Sequence, residues 1–160
     1  KADYDAWERM HLLTVTDTPI VDQNAVMKYV KDTCKEHEWN IECLCFDPAN
    51  AAKLMMDLSD EGYEVEEVYQ SHKSLNESTQ GFREQVYSGN IIYIYNPLLN
   101  FAMSNAVIRK NQGLIKIDKD ATTQRIDPVD AILCAYKLAL YHEFTQSFLK
   151  SIDEYLESDW

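Results

Sequence analysis

Hydrophobic and polar positions along the chain follow two different periods, and their alternation predicts a succession of strands and helices. The helical period is clearest after Asp22, which we expect to cap a helix that runs to about His37. Val26, Val30 and Cys34 then share one apolar face of that helix. Further helices are predicted over residues 49–59, 78–87, 97–106 and 127–140, with a continuation of the last one towards residue 156 left open.

Short compact apolar runs, bounded by polar residues, predict the strands. These runs cover residues 13–16, 41–46, 63–69 and 91–95. Residues 107–117 are expected to form a hairpin that turns at Asn111-Gln112-Gly113, because asparagine and glycine favour the backbone angles of tight turns. Strands that alternate with helices indicate an α/β fold, with helices on both faces of the sheet.

The length of 160 residues is enough for one domain with a single core. The balance of 46% hydrophobic and 26% charged residues is typical of a globular protein. No apolar run approaches the roughly 18 residues of a membrane span. The chain does not begin with Met, so we expect it to be part of a longer protein, and we expect its acidic end, residues 153–160, to be disordered.

The four cysteines lack C-x-x-C spacing and are expected to be reduced core residues: Cys34, Cys43, Cys45 and Cys134.

Charge is distributed unevenly along the chain, whose net charge is -12. Residues 69–125 form a basic stretch, with 7 Lys or Arg against 4 Asp or Glu, whereas the segments before and after it are acidic. A surface that faces a polyanion such as DNA would be built from this stretch, and chance segregation in an acidic protein is the alternative. The candidate DNA contacts are Lys73, Arg109, Lys110, Lys116 and Lys119.

Two Asp-Pro steps, Asp47-Pro48 and Asp127-Pro128, carry the candidate chemistry. Each precedes a predicted helix, so each Asp is a good helix N-cap and each Pro a good first helical residue, which explains both steps without any function. The functional interpretation starts from the position of Asp47 directly after a buried strand. Ligands of open α/β sheets bind at the carboxyl ends of the strands, so Asp47 lies where a ligand is expected. If the helix after Asp127 crosses the sheet there, both carboxylates converge and can bind Mg²⁺ or Mn²⁺. Asp130 would then be either an additional ligand or part of a capping box.

Several short motifs follow one another in a distinctive order along residues 4–140. They are Tyr4-x-x-Trp7 with Leu12 to Thr16, Phe46-Asp47-Pro48-Ala49-Asn50, Gln70, Asn96-Pro97-Leu98-Leu99 with Asn105, Lys119, and Ile126-Asp127 with Ala131. In this order and at these separations they resemble the C-terminal nuclease domain of the large terminases of tailed phages. That resemblance implies a ribonuclease H-like fold, a mixed sheet flanked by helices, which in this chain is expected to lack its first strands.

The resemblance also implies a chemistry. Asp47 corresponds to the second catalytic acidic residue of the family and Asp127 to the third, and both would be ligands of two Mg²⁺ or Mn²⁺ ions, with Asp130 as the candidate additional ligand. The implied reaction is cleavage of concatemeric double-stranded DNA by two-metal phosphodiester hydrolysis. The family's first catalytic Asp lies upstream of the position of Tyr4, so this chain is expected to lack it and to be a poor nuclease by itself. Lys119 would either neutralise a phosphate or remain solvated.

Partners and a place in the cell are implied in the same way. The partners would be double-stranded DNA, the portal protein, the small terminase subunit and an ATPase domain of the same polypeptide that lies outside this chain; no membrane is implied. The location would be the cytoplasm of an infected or lysogenic bacterial host. Two alternatives stay open. One is an α/β docking or regulatory module that does not cut DNA, which the acidic composition favours; the other is a different ribonuclease H-like enzyme, such as a resolvase or transposase.

Overall fold

Strands and helices alternate in the computed structural model of the chain, which describes residues 2–49, 51–119 and 125–141. The order is α1 (Tyr4–Arg9), α2 (Gln23–His37), β1 (Leu44–Phe46), α3 (Ala52–Asp60), β2 (Val65–Glu67), α4 (His72–Tyr87), α5 (Pro97–Asn105), β3 (Ile108–Asn111), β4 (Leu114–Ile117) and α6 (Asp127–Ala139). This order confirms the predicted α/β class. Over the residues that are described, none of the helices has the length and apolar character that crossing a membrane requires.

The strands of the described residues form two separate pairs. β1 lies parallel to β2, with Leu44 opposite Val65 and Phe46 opposite Glu67, and α3 makes the crossover that a parallel pair requires. β3 and β4 form the antiparallel hairpin that the sequence predicted. Its turn contains Gly113, whose φ of 84° lies in the left-handed region that glycine adopts without strain.

Side-chain caps fix where four of the described helices begin, and two of these caps bear directly on the predicted bounds. Asp22 Oδ1 accepts a hydrogen bond from the Asn24 amide at 2.9 Å, which confirms the predicted start of α2. Ser71 Oγ accepts one from the Ser74 amide at 3.1 Å, so α4 begins at His72 rather than at the predicted residue 78. The prediction began the helix too late because the first turns of α4 are mostly polar, and a cap, not an apolar period, defines their start.

Two predicted strands are not formed. Residues 13–16 and 91–95 have the composition of strands but are irregular in the structure. A strand requires a neighbour that pairs its backbone, and a side-chain pattern does not reveal whether one is present. Ile92 and Ile94 are instead 96% and 92% exposed. The possible extension of the last helix to residue 156 and the acidic end at residues 153–160 lie outside the described residues.

Helix α6 joins the two buried clusters of the domain. The first cluster comprises Ala102, Ile117, Ile126, Val129 and Leu133. The second comprises Val68, Leu75 and Cys134, and Cys45 packs against it. Because α6 contributes to both clusters, it packs against α4, α5 and β1. The position of its N-terminus relative to the carboxyl end of β1 is therefore set by the core.

The four cysteines are free thiols. Cys134 is buried, as predicted, whereas Cys34, Cys43 and Cys45 are half-buried. The core interpretation is therefore confirmed for Cys134, while Cys45 contributes from the edge of the second cluster.

Candidate active site

The contact between Cys45 and the cluster that contains Cys134 packs the strand that ends beside Asp47 against the helix that carries Asp127 and Asp130. Asp47 follows Cys45 by two residues at the carboxyl end of β1, so it lies beyond this contact along the extended chain. On α6, Asp130 lies about one turn before Cys134 and Asp127 about two turns before it, on the same face of the helix. The end of β1 and the start of α6 therefore carry their acidic residues towards the same place.

Asp47 is half-buried and orients its own loop. Its Oδ1 accepts a hydrogen bond from the Ala49 amide at 3.1 Å, which closes a local turn across Pro48. The predicted role of Asp47 as the N-cap of the next helix is wrong. That helix, α3, begins at Ala52, after an N-cap position at Ala51 that makes no side-chain cap. The turn thus fixes the carboxylate at the end of the strand without using it to start a helix.

The start of α6 also differs from the prediction. The N-cap is Ile126, not Asp127, and the Ile126 carbonyl accepts from the amides of Val129 and Asp130. Ile126 is 3% exposed, and its burial in the first cluster sets the helix start one residue earlier than the Asp-Pro step suggests. The predicted capping box between Asp127 and Asp130 is consequently not formed. Both carboxylates lie in the first turn, where the partial positive charge of the helix N-terminus favours them.

Lys119 sits among these carboxylates. Its Nζ lies 2.6 Å from Oδ2 of Asp130, whose residue is 8% exposed. Burial lowers the pKa of the Lys119 ammonium, but the hydrogen bond to Asp130 and the charges of Asp130, Asp47 and Asp127 raise it, and the net shift is upward. Lys119 is therefore ion-paired while its side chain stays 43% exposed, so whether it neutralises a phosphate or remains solvated stays a prediction. That the charges of all three acids act on this ammonium supports a shared electrostatic site.

Gln70 follows β2 at the same edge as Asp47 and ties the site to its surroundings. Its side-chain amide donates to Cys134 Sγ at 3.4 Å, and its backbone carbonyl accepts from Lys116 Nζ at 3.1 Å. Burial raises the pKa of the Cys134 thiol, and the negative charges of Asp130 and Asp47 act in the same direction. Sequence reasoning treated Cys134 only as a core residue. The spacing from Asp127 and Asp130 to Cys134 was the signal that places it beneath the site.

The five predicted DNA contacts divide into paired and open groups. Lys119 is held by Asp130, Lys116 by the Gln70 carbonyl, and Arg109 lies 3.6 Å from Asp118. Lys73, in the first turn of α4, and Lys110, on the hairpin, are both exposed. Contact with DNA stays a prediction for all five residues. Lys73 and Lys110 are the two that could bind a phosphate without first breaking one of these bonds.

The donor set determines which ion these acids could hold. Within the described ranges, no group of three or more His, Cys, Asp or Glu side chains is arranged to hold a metal ion by itself. Mg²⁺, however, is commonly bound by one or two carboxylates, with water and substrate phosphates completing its shell. Asp47, Asp127 and Asp130 are hard oxygen donors around a position that already attracts an ammonium. They fit an open site of that kind and not a closed protein cage.

The arrangement of these elements is that of an α/β domain of the ribonuclease H-like class. It is similar to the crystal structure of the large terminase of bacteriophage HK97, with a TM-score of 0.76 and 24% sequence identity over 86% of this chain and 29% of that one. Residues 1–143 match the family described as terminase large subunit, endonuclease domain, and the chain belongs to that family. The resemblance predicted from the motifs is thereby confirmed.

A curated relative extends the comparison. The chain is 24% identical over 155 residues to protein YmfN of Escherichia coli K12, an alignment that covers 95% of this chain and 34% of YmfN. The chain thus spans about a third of the length of each of these two proteins. Membership of the endonuclease-domain family supports a nuclease role in phage DNA packaging.

Proposed function

We propose that this domain is a divalent-metal-dependent endonuclease that cuts concatemeric double-stranded DNA during phage genome packaging. Asp47 and Asp127 are the catalytic carboxylates, and Asp130 is a further metal ligand. The observation that carries the proposal is that Lys119 Nζ lies 2.6 Å from Asp130 on α6, while β1, which ends beside Asp47, packs against the same helix through Cys45. The proposed cofactor is Mg²⁺ or Mn²⁺, with two ions in the complete site.

Each residue has a definite task in this proposal. When bound, the divalent ions would supply an activated water and neutralise charge on the leaving oxygen. The turn closed by Asp47 Oδ1 and the Ala49 amide holds one carboxylate at the end of β1. The burial of Ile126 and Leu133 holds α6, and with it Asp127 and Asp130, against the core. The domain thus contributes rigid placement of the ligands, which is what phosphodiester cleavage demands of the protein.

The proposed substrate path follows the basic stretch. Lys73 and Lys110 are exposed and offer positive charge, whereas the chain as a whole carries a net charge of -12. A polyanion is therefore expected to approach along α4 and the β3–β4 hairpin. We extend the proposal to a portal protein, a small terminase subunit and an ATPase domain of the same polypeptide as partners, and to the cytoplasm of the bacterial host as location.

A second candidate is a docking or regulatory module that does not cut DNA. One observation favours it: among the described residues, three protein ligands are not assembled into a metal-holding group. This candidate keeps the fold and the packaging context but needs no divalent ion at Asp47 and Asp127. The two functions therefore differ in a property that can be measured directly.

Manganese binding and plasmid nicking separate the two candidates. Calorimetric titration of the chain with Mn²⁺ is expected to show binding that Asp47→Asn and Asp127→Asn each weaken strongly, with slow nicking of supercoiled plasmid that both variants abolish. Asparagine at position 47 keeps an acceptor for the Ala49 amide, so the change removes charge and not the turn. Asp32→Asn, at an exposed acid on α2, is the matched control. Unaltered Mn²⁺ binding in the double variant would refute the nuclease proposal.

A further inference from the structure

The ion pair between Lys119 and Asp130 has a buried acid, unlike the exposed pairs on α2, and shares this feature with the pair Arg109–Asp118, whose acid is 15% exposed. The Asp130 side chain is only 12% exposed, whereas the Lys119 side chain is 43% exposed. The pairs Lys28–Asp32 and Lys31–Glu61 lie in the open, with acids 60% and 47% exposed. A carboxylate as buried as Asp130 is costly to keep charged without a partner, so it depends on its cation more than those surface acids do.

The place of this cation coincides with the proposed metal site. Lys119 pairs directly with Asp130, and the charges of Asp47 and Asp127 also reach its ammonium. A single positive charge balances three carboxylates only in part, so a divalent ion has a stronger attraction to the same place. Lysine has a compact charge on a flexible four-carbon stem, and its partly exposed side chain has solvent to move into.

We propose that Lys119 is a built-in counter-ion of the carboxylate site, which occupies it in the metal-free state and is displaced from Asp130 when a divalent ion binds. This inference rests on the proposed function, since it assigns a role to Lys119 at the same site. It makes Lys119 a positioning residue: it holds the Asp130 side chain in place before the ion arrives. It also makes Lys119 a competitor of the ion.

If Lys119 competes with the ion, removal of Lys119 should strengthen Mn²⁺ binding. If Lys119 helped to hold the ion, the same change should weaken Mn²⁺ binding. Lys119→Met is expected to tighten Mn²⁺ binding roughly tenfold, the scale of one charge-assisted hydrogen bond that no longer has to be broken. Lys119→Arg retains the positive charge and should stay close to the parent. Lys31→Met, which removes a lysine of similar exposure from the open pair with Glu61, should leave Mn²⁺ affinity unchanged.

The metal-free domain gives an independent measurement. Without Lys119 the Asp130 carboxylate is left buried and unpaired, so the melting temperature without metal should fall more for Lys119→Met than for Lys31→Met. Added Mn²⁺ should recover more of that loss in Lys119→Met than in the parent. Lys119→Gln, which keeps a hydrogen-bond donor for Asp130 but no charge, answers the same question if Lys119→Met does not fold.

The experiment is calorimetric titration with Mn²⁺ of the parent, the Lys119 variants, Lys31→Met and the double variant Asp47→Asn/Asp127→Asn. Tighter binding in Lys119→Met or Lys119→Gln, with Lys119→Arg like the parent, supports the counter-ion. Unchanged or weaker binding in those variants, while the double variant loses Mn²⁺, overturns this inference alone. Full Mn²⁺ binding by the double variant instead refutes the proposed function. Absence of Mn²⁺ binding in every variant overturns both.

Discussion

The side-chain amide of Gln70 donates a hydrogen bond to the sulfur of Cys134 across 3.4 Å. This bond joins the segment after β2 to α6, one turn below Asp130. The carbonyl of the same Gln70 accepts from Lys116 Nζ, so the β3–β4 hairpin is attached at the same point. The floor of the candidate site is thus a junction of three elements, and the thiols of Cys134 and Cys45 are part of it.

The thiol of Cys45 should make stability fall at alkaline pH. Burial, with the neighbouring Cys43 as a further cause, raises the pKa of Cys45 from 9.0 to about 11. Between these values the unfolded chain loses the thiol proton while the folded chain retains it, so the free energy of unfolding decreases as pH rises. Denaturant titrations of the parent and of Cys45→Ala should run parallel at pH 7 to 8. Above about pH 9 the parent should decline more steeply, and equal slopes there would contradict the prediction.

Charge on the hairpin should govern DNA affinity. Lys110→Glu is expected to weaken binding to double-stranded DNA and to reduce the slope of log affinity against log salt by at least about 1, because a phosphate contact that releases a counterion is lost. Fluorescence anisotropy at several salt concentrations measures both quantities. Lys53→Glu, at an exposed lysine of α3, makes the same charge change elsewhere. If both variants lose affinity equally, net charge and not the hairpin is responsible.

The cap of α4 should contribute measurable stability. Ser71→Ala removes the acceptor of the Ser74 amide and is expected to cost about 1 kcal/mol of the free energy of unfolding. Ser71→Asp is the conservative control and should be close to neutral, since Asp is an equally good N-cap. Chemical denaturation of the three proteins tests this, and a neutral Ser71→Ala would show that packing alone fixes the start of α4.

Truncation of Leu133 should loosen the helix that carries the acids. Leu133 is 1% exposed in the first cluster, so Leu133→Ala is expected to cost about 2 to 5 kcal/mol through lost burial and the cavity left behind. Met56, on α3, is 67% exposed and provides the control, for which Met56→Ala should change stability by less than about 0.5 kcal/mol. A small effect at Leu133 would mean that the neighbouring side chains close the cavity.

Local signals predicted most of the fold, and long-range pairing accounts for what they missed. The cap at Asp22 and the hairpin turn at Gly113 are properties of a few adjacent residues, so the sequence displays them. Residues 91–95 carry an equally strong strand pattern, yet no strand results. The outcome there depends on whether another segment supplies hydrogen-bond partners, which no local pattern contains.

At the site, the residues were predictable but their roles were not. Asp47, Asp127 and Lys119 were identified from motifs and Asp130 from its spacing, and the structure pairs Lys119 with Asp130 and packs β1 against α6. The interpretation of both Asp residues as N-caps was wrong. Asp127 is not the N-cap of α6 because the buried Ile126 takes that position, and Asp47 is not the N-cap of α3 because that helix begins only at Ala52. Pairing of Lys119 with Asp130 joins residues from separate elements, so sequence spacing gives no sign of it.

The exposed segment at residues 91–95 has a consequence for the domain in concentrated solution. The chain has no charged residue between Glu84 and Arg109, and Ile92 and Ile94 project almost fully into water. Short uncharged runs of β-branched and aromatic residues are the kind that nucleate cross-β assembly. What keeps separate molecules apart is their mutual repulsion at a net charge of -12, which added salt screens. The colloidal stability of this domain is therefore expected to fall as the ionic strength of the solution rises.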